Sequence, residues 1–290
     1  MKKRNDQNAI VKRAVLVFIL MFLVLLAALA FFTRSIVMRE QLKASYTAEA
    51  TVANVEAQLN RYLAESELLK SIVESGYEIS DSDFAALSKL MYDEDGIIKA
   101  VELAPNGVVR SVYPQAGNAD VLGLNMLRHP ERKVEANLAK ESGQYTIAGP
   151  FQLVQGGTGA LLFDPIYTTG ADGSQKYWGF SVLVLDWESF LDEIQINKLQ
   201  DASYEYLIWK EGHNGERIVI AQGDRPVGQN TLEVACAVPN DTWYFEIVPQ
   251  DGWVSTTQAV GGYLLVIALT ILVTLGYWQF SIRQSQKYML

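Results

Sequence analysis

The 290-residue sequence has one cysteine, Cys236, and two histidines, His129 and His213. A lone cysteine makes no internal disulfide, so any folded domain here must be held by its hydrophobic core. Within the apolar stretch Val234–Val238, Cys236 reads as a small core residue and not as a reactive thiol. Neither histidine stands near the cysteine or a carboxylate at metal-ligand spacing. His129 precedes Pro130 at a helix start and His213 lies in a polar loop, both surface positions. No Gly-x-Ser-x-Gly elbow and no phosphate loop occurs. The acidic run Asp93-Glu94-Asp95 lacks the alternating oxygen ligands of a calcium loop and reads as a solvated turn. These absences leave no catalytic residue, metal site or cofactor to name. Paired carboxylates capable of hydrolysis stay open on sequence alone, so an extracytoplasmic hydrolase is kept as the most distant reading.

Two long uncharged runs account for much of the 49% hydrophobic content. Ala14–Phe32 and Val260–Trp278 are 19 residues each. A helix of that length reaches roughly 28 Å, about the hydrocarbon thickness of a bilayer. Tyr263, Tyr277 and Trp278 sit near the ends of the second run, where aromatic rings favour the interface. The first run is too long for the apolar core of a cleaved signal, despite Ala28-Leu29-Ala30. Lys2, Lys3, Arg4, Lys12 and Arg13 precede it, and Arg283 and Lys287 follow the second. Basic flanks at both ends place both termini in the cytoplasm of a multi-pass inner (plasma) membrane protein. The segment Ser35–Ser255 carries 16 Lys and Arg against 32 Asp and Glu, a balance of -16. Such a charge argues against nucleic acid and points faintly to a neutral or cationic ligand.

From Ser35 to about Ser75 there is no proline or glycine, and a heptad-like series runs Ala48, Val52, Val55, Leu59, Tyr62, Ser66, Leu69, Val73. That pattern predicts a long stalk helix with a homodimer seam, or one packed on its own domain. Ser80 to Asp83 supplies an N-cap for a short helix. Beyond Gly96 the period shortens to two. Ile97–Leu103 and Val108–Tyr113 are strands about a Pro105-Asn106-Gly107 turn. A helix over Glu131–Ser142 ends at Gly143, three strands follow at 145–153, 160–167 and 177–185, and a further helix runs from Asp186 to about Ile196. Four more strands, at 204–210, 217–222, 231–238 and 243–248, make a smaller unit.

One block is distinctive: Ala148-Gly-Pro-Phe-Gln-Leu-Val-Gln-Gly-Gly157, then Leu161–Tyr167, then Tyr177-Trp-Gly-Phe-Ser181 running to Asp186. With Glu102–Gly107 and Gly123-Leu124-Asn125, it resembles a CHASE domain, the extracellular sensor of many receptor histidine kinases, diguanylate cyclases and phosphodiesterases. The resemblance covers about Ala86 to Ile196. It implies an α+β fold: a stalk helix, two PAS-like antiparallel-sheet units, two flanking membrane helices, a small-molecule ligand in the distal unit and a dimer. It places ligand contacts at Asn125, Ala148, Leu153, Val154, Gln155 and Phe163. In the plant cytokinin receptors of the family an acid holds the purine; here the matching position is the amide Asn125, a departure from adenine-type recognition. Physically, alternating side chains on paired strands suit a mostly apolar site with few polar anchors. Gly149, Gly156 and Gly157 either let backbone approach a ligand or only shape a bulge and a turn. Trp178 and Trp187 read as core.

The expected organisation is therefore a cytoplasmic segment 1–13, a membrane helix 14–33, a stalk 34–85, a distal sensory unit 86–196, a membrane-proximal unit 197–255, a second membrane helix 256–279 and a tail 280–290. The expected function is a sensor module, not an enzyme, that passes a signal to a cytoplasmic output domain or partner. Gln279–Leu290 has no room for that output, so the chain is either a piece of a longer receptor or a module working through a partner. The alternative is a membrane-bound ligand-binding or scaffolding subunit without a signalling role.

Overall fold

The computed structural model describes residues 2–92, 96–212 and 214–287. Helix α1 spans Lys2–Glu74 without a break. No glycine or proline interrupts it, and Gly76, at φ +82°, turns the chain out just beyond its end.

Residues Ser45–Val248 form one compact body. Helix α2 (Asp81–Met91) starts on a capping box, in which Ser80 Oγ accepts from Asp83 N and the Asp83 carboxylate accepts from Ser80 N. Strands β1 (Ile98–Pro105) and β2 (Ser111–Tyr113) pair antiparallel, with Glu102 opposite Val112. The return strand is shorter than the sequence predicts because Val108 leaves β1 to bridge Asn125. Helix α3 (Lys133–Ser142) ends at Gly143 in the left-handed region, as the glycine signals. Strands β3 (Thr146–Gln152), β4 (Thr158–Thr169) and β5 (Gln175–Asp186) complete a five-stranded antiparallel sheet of order β2-β1-β5-β4-β3. Helix α4 (Trp187–Glu193) is capped by the Asp186 carboxylate and is shorter than the predicted helix, and α5 (Asn197–Asp201), which the sequence reading did not include, follows. Strands β6 (Tyr204–Glu211), β7 (Arg217–Gln222), β8 (Leu232–Val238) and β9 (Asp241–Pro249) form a second antiparallel sheet, order β7-β6-β9-β8. The fold is α+β with a long N-terminal helix and two antiparallel sheets.

The first sheet buries both faces, which is why β1, β4 and β5 lack alternation in burial. On the front face Ala100, Ala104, Phe163, Phe180, Val182 and Val184 form one core with Ala136 and Ala139 of α3. On the back face α1 packs. Ser66 Oγ lies 3.1 Å from Asp164 Oδ2 and 3.3 Å from Ser181 Oγ, and Lys70 Nζ is 2.8 Å from Asp164 Oδ1. The whole heptad-like series, from Ala48 to Val73, is buried within this body. The series is covered by the helix's own domain, the second of the two readings that its spacing allowed. The one polar residue in the series, Ser66, is the one that meets polar groups on the sheet.

The second body comprises residues 1–44 and 249–290. It contains the first part of α1 and helix α6 (Thr256–Lys287). Both helices are long and apolar enough to cross a membrane. Leu16, Leu20, Leu23, Val24, Leu264, Leu265 and Leu272 are exposed, while Ala14, Val266 and Thr270 are buried. Gly262 lets Leu29 come close, since a Cβ there would lie 2.7 Å from Leu29 Cδ1. Thr270 donates its hydroxyl to the Val266 carbonyl at 2.7 Å, which satisfies a buried polar group inside the helix.

Candidate functional site

The front face of the first sheet is lined from four strands. Antiparallel register sets Glu102 of β1 opposite Val182 of β5, and Val182 opposite Phe163 of β4. Ala148 of β3 lies opposite Leu161 in the same core. Phe163 and Phe180 meet at 5.2 Å, and Tyr177 packs on Phe180 at 5.3 Å. Small residues at Ala100, Ala104, Ala136, Ala139 and Ala148 keep sheet and α3 close.

Polar groups are buried in this apolar setting. Glu102 and Arg132 are each only 1% exposed. Gln155 Nε2 donates to Glu102 Oε1 at 3.4 Å, while Glu102 Oε2 has no partner among the described residues. Arg132 sits before α3 with its guanidinium carbon 5.5 Å from the Phe151 ring and Nη1 3.8 Å from Met126 Sδ; its Nε is unpartnered. Asn125 Oδ1, Gln155 Oε1 and the Tyr177 hydroxyl are likewise buried without a partner among the described residues. Burial pushes the Glu102 carboxyl up to about 7, against the pull of Arg132 and the Gln155 hydrogen bond. Burial also lowers Arg132, opposed by Glu102. The two are close enough to influence one another, yet Glu102 Oε1 is taken by Gln155 and Oε2 by no group. Each buried polar atom left unmatched costs about 1–3 kcal/mol, so five on one face make a marked site.

Of the residues expected from sequence, Ala148, Leu153 and Phe163 belong to the front core, and Asn125 and Gln155 bring unpartnered oxygens to it. Val154 does not join them and is 41% exposed. Gly149 sits where the β3–β4 register shifts, and Gly156 and Gly157, at φ +85° and +80°, form the β3–β4 turn, so they shape a bulge and a turn. Sequence reasoning passed over Glu102, Arg132 and Tyr177. The signal for Glu102 was present: a carboxylate alternating with Ala100 and Ala104, on what is otherwise the small apolar face of a strand. An open cleft of about 470 Å³ lies elsewhere, between α1 and β8, lined by Leu59, Tyr145 and Val238 among others; none of the expected residues borders it.

Trp187 is core, its ring tilted against Phe190 at 5.4 Å and edge-on to Trp243 at 5.9 Å. Cys236 is fully buried, its thiol pushed up to about 12 by burial and by nearby Glu56. The acidic run Asp93–Asp95 and His213 lie outside the described residues.

A family model described as the CHASE domain matches residues 46–220. No curated protein matches the chain. Among solved structures, a chain described as an extracellular ligand binding receptor from Desulfohalobium retbaense DSM5692 aligns over 75% of this chain at 14% identity, with a TM-score of 0.43. This chain spans 40% of that one's length.

Proposed function

Because the chain belongs to the CHASE-domain family, whose model covers more than half of it, we propose that it is a membrane-anchored extracytoplasmic sensor that binds a small ligand on the front face of the first sheet and passes the event inward. The observation that carries this reading is the cluster of buried, unpartnered polar atoms on Glu102, Asn125, Arg132 and Gln155 in an apolar setting. That is the composition of a small-molecule site: apolar walls with a few placed polar anchors.

The ligand contacts are Asn125, Ala148, Leu153, Gln155 and Phe163, joined by Glu102 and Arg132. The order β2-β1-β5-β4-β3 with α3 across one face supports a PAS-like distal unit over 86–196, and the second sheet a PAS-like proximal unit over 197–255. The exposed apolar side chains of α1 and α6 support membrane helices at 14–33 and 256–279, since lipid is the solvent in which such surfaces are stable. The basic flanks put both termini on the cytoplasmic side of the inner (plasma) membrane. The signal route is α1. It receives the back of the sheet through Ser66 and Lys70 and continues unbroken to the first membrane run. Output then lies with a cytoplasmic domain or partner.

The test is hydrogen exchange on the full chain in lipid nanodiscs, with and without a pool of amines, amino acids, purines and short peptides. Protection at β3 and α3 together with a change in α1 around Ser66–Lys70 is expected. Protection without any change in α1 favours the non-signalling ligand-binding subunit. No protection at the front face with any part of the pool ends the reading.

A further inference from the structure

The polar atoms on the front face are of opposite kinds, and that pairing restricts what can sit there. Glu102 offers a bare carboxylate oxygen, and Arg132 a bare Nε–H, both within 1% exposed side chains. Asn125 and Gln155 add amide groups, each of which presents either a carbonyl oxygen or an N–H according to how it is turned. The amides therefore adapt, and the two charged groups decide. A simple cation would meet Glu102 but leave Arg132 buried beside a second positive charge. A simple anion would meet Arg132 and be repelled by Glu102. A group bearing both charges satisfies both. The walls, Met126, Phe163 and Val182, are fully buried, and Ala100, Ala104 and Ala148 of the sheet share one close-packed core with Ala136 and Ala139 of α3, a setting that suits only a short skeleton.

We propose that the front face binds a small zwitterion, its ammonium toward Glu102 with the amide oxygens of Asn125 and Gln155, and its carboxylate toward Arg132. This assignment rests on the front face being the ligand site, and it departs from the planar purine that an acid at position 125 would hold. Glu102 and Arg132 are specificity-determining residues, and Phe163 sets the depth of the floor.

Thermal melts and calorimetric titration of the full chain in nanodiscs test it with matched probes: L-alanine and β-alanine as zwitterions, propylamine and propionate as the two halves, adenine as the neutral heterocycle. At least one zwitterion is expected to bind roughly tenfold or more tighter than either half. Glu102→Gln and Arg132→Met should each cost roughly tenfold or more in that affinity, and Phe163→Trp should block it. The comparison of whole against half ligands uses the unaltered protein, so it holds even where a variant folds poorly. If a half ligand or adenine binds as tightly as the zwitterions and Phe163→Trp abolishes that binding, the ligand class is wrong while the site stands. If zwitterion binding ignores all three substitutions, the class and the site both fail. If no probe binds, the zwitterion assignment is overturned, and protection by the broader metabolite pool judges the site separately.

Discussion

Lys70 and Asp164 join the stalk to the sheet: Lys70 Nζ of α1 lies 2.8 Å from Asp164 Oδ1 of β4, whose side chain is fully buried. Asp164 follows Phe163 directly in the chain, so one strand step separates a front-face wall from the grip of the stalk on the back. Under the proposed function, a shift of Phe163 on ligand binding would have only to tilt β4 to move Asp164 against α1. Burial raises the Asp164 carboxyl, and the Lys70 and Ser66 contacts pull it back.

Lys70→Met should therefore do two separable things. It leaves a buried carboxylate with only Ser66 as a side-chain donor, and destabilises the protein by about 2–3 kcal/mol at neutral pH. The cost should shrink as pH falls, because a protonated Asp164 needs no cation. Ligand affinity, set on the other face, should change little, while the exchange response of α1 to ligand should be lost. Melts at pH 4.5 and 7.5 and exchange on the bound variant check each part. A response in α1 that survives Lys70→Met would remove this contact from the signal route.

Glu102 gives the protein a pH dependence of known sign. Its folded carboxyl titrates near 7, above the ordinary carboxylate value of about 4.5. Between those values the folded state holds a proton that the unfolded state has lost, so stability falls as pH rises through this window. The full effect is on the order of 3 kcal/mol. Asp164, also raised by burial, adds loss of the same sign, and His129, lowered chiefly by burial, opposes it. The difference between wild type and Glu102→Gln isolates the Glu102 part. The variant should gain relative stability from pH 5 to about pH 7 and level off above that. An unchanging difference over that range would mean that Glu102 is charged, and compensated, throughout.

Gly159 marks how tightly β4 and β5 are drawn together beneath the β3–β4 turn. A Cβ there would lie 2.5 Å from both Leu153 Cδ1 and the Leu185 carbonyl oxygen. Leu153 can swing, but the backbone carbonyl cannot. Gly159→Ala should destabilise by about 1–3 kcal/mol, read as a shift of the denaturation midpoint without a change in slope. Gly156→Ala should also destabilise, although a Cβ there meets nothing, because its φ of +85° is strained for alanine.

What was legible in the sequence followed from local rules. Most strands of both sheets are visible as short apolar runs, five of them followed closely by glycine, and α1 as a span with no breaker. The limits come from information that is not local. The heptad-like spacing of α1 marks an apolar face but does not say what covers it, and a β-sheet covers such a face as well as a second helix does. Val154 lies beside Leu153 in the chain, and after the turn begins only one of the two points inward. Arg132 stands at the start of a charged helix and reads as surface; only the fold brings it under Phe151, near Glu102 some 30 residues earlier.

The stalk itself gives a decisive case, because two readings predict opposite results for one substitution. Leu59 is 1% exposed and packs within its own domain. Were its face a seam between two chains, Leu59→Glu would yield a folded monomer. Here it places an unpaired carboxylate against the interior, at a cost of more than about 4 kcal/mol. The expected result is loss of the cooperative melt and of expression in folded form. By contrast, Leu42 and Tyr46 are 56% and 65% exposed on the outward side of α1, and glutamate at either should leave the melt within about 0.5 kcal/mol of wild type. Sedimentation of these outward variants then asks the dimer question without disturbing the fold. If wild type is a dimer in nanodisc-sized micelles and Tyr46→Glu is a monomer, the stalk pairs through its outward face; if Leu59→Glu gives a folded monomer, the packing of α1 against its own sheet is wrong.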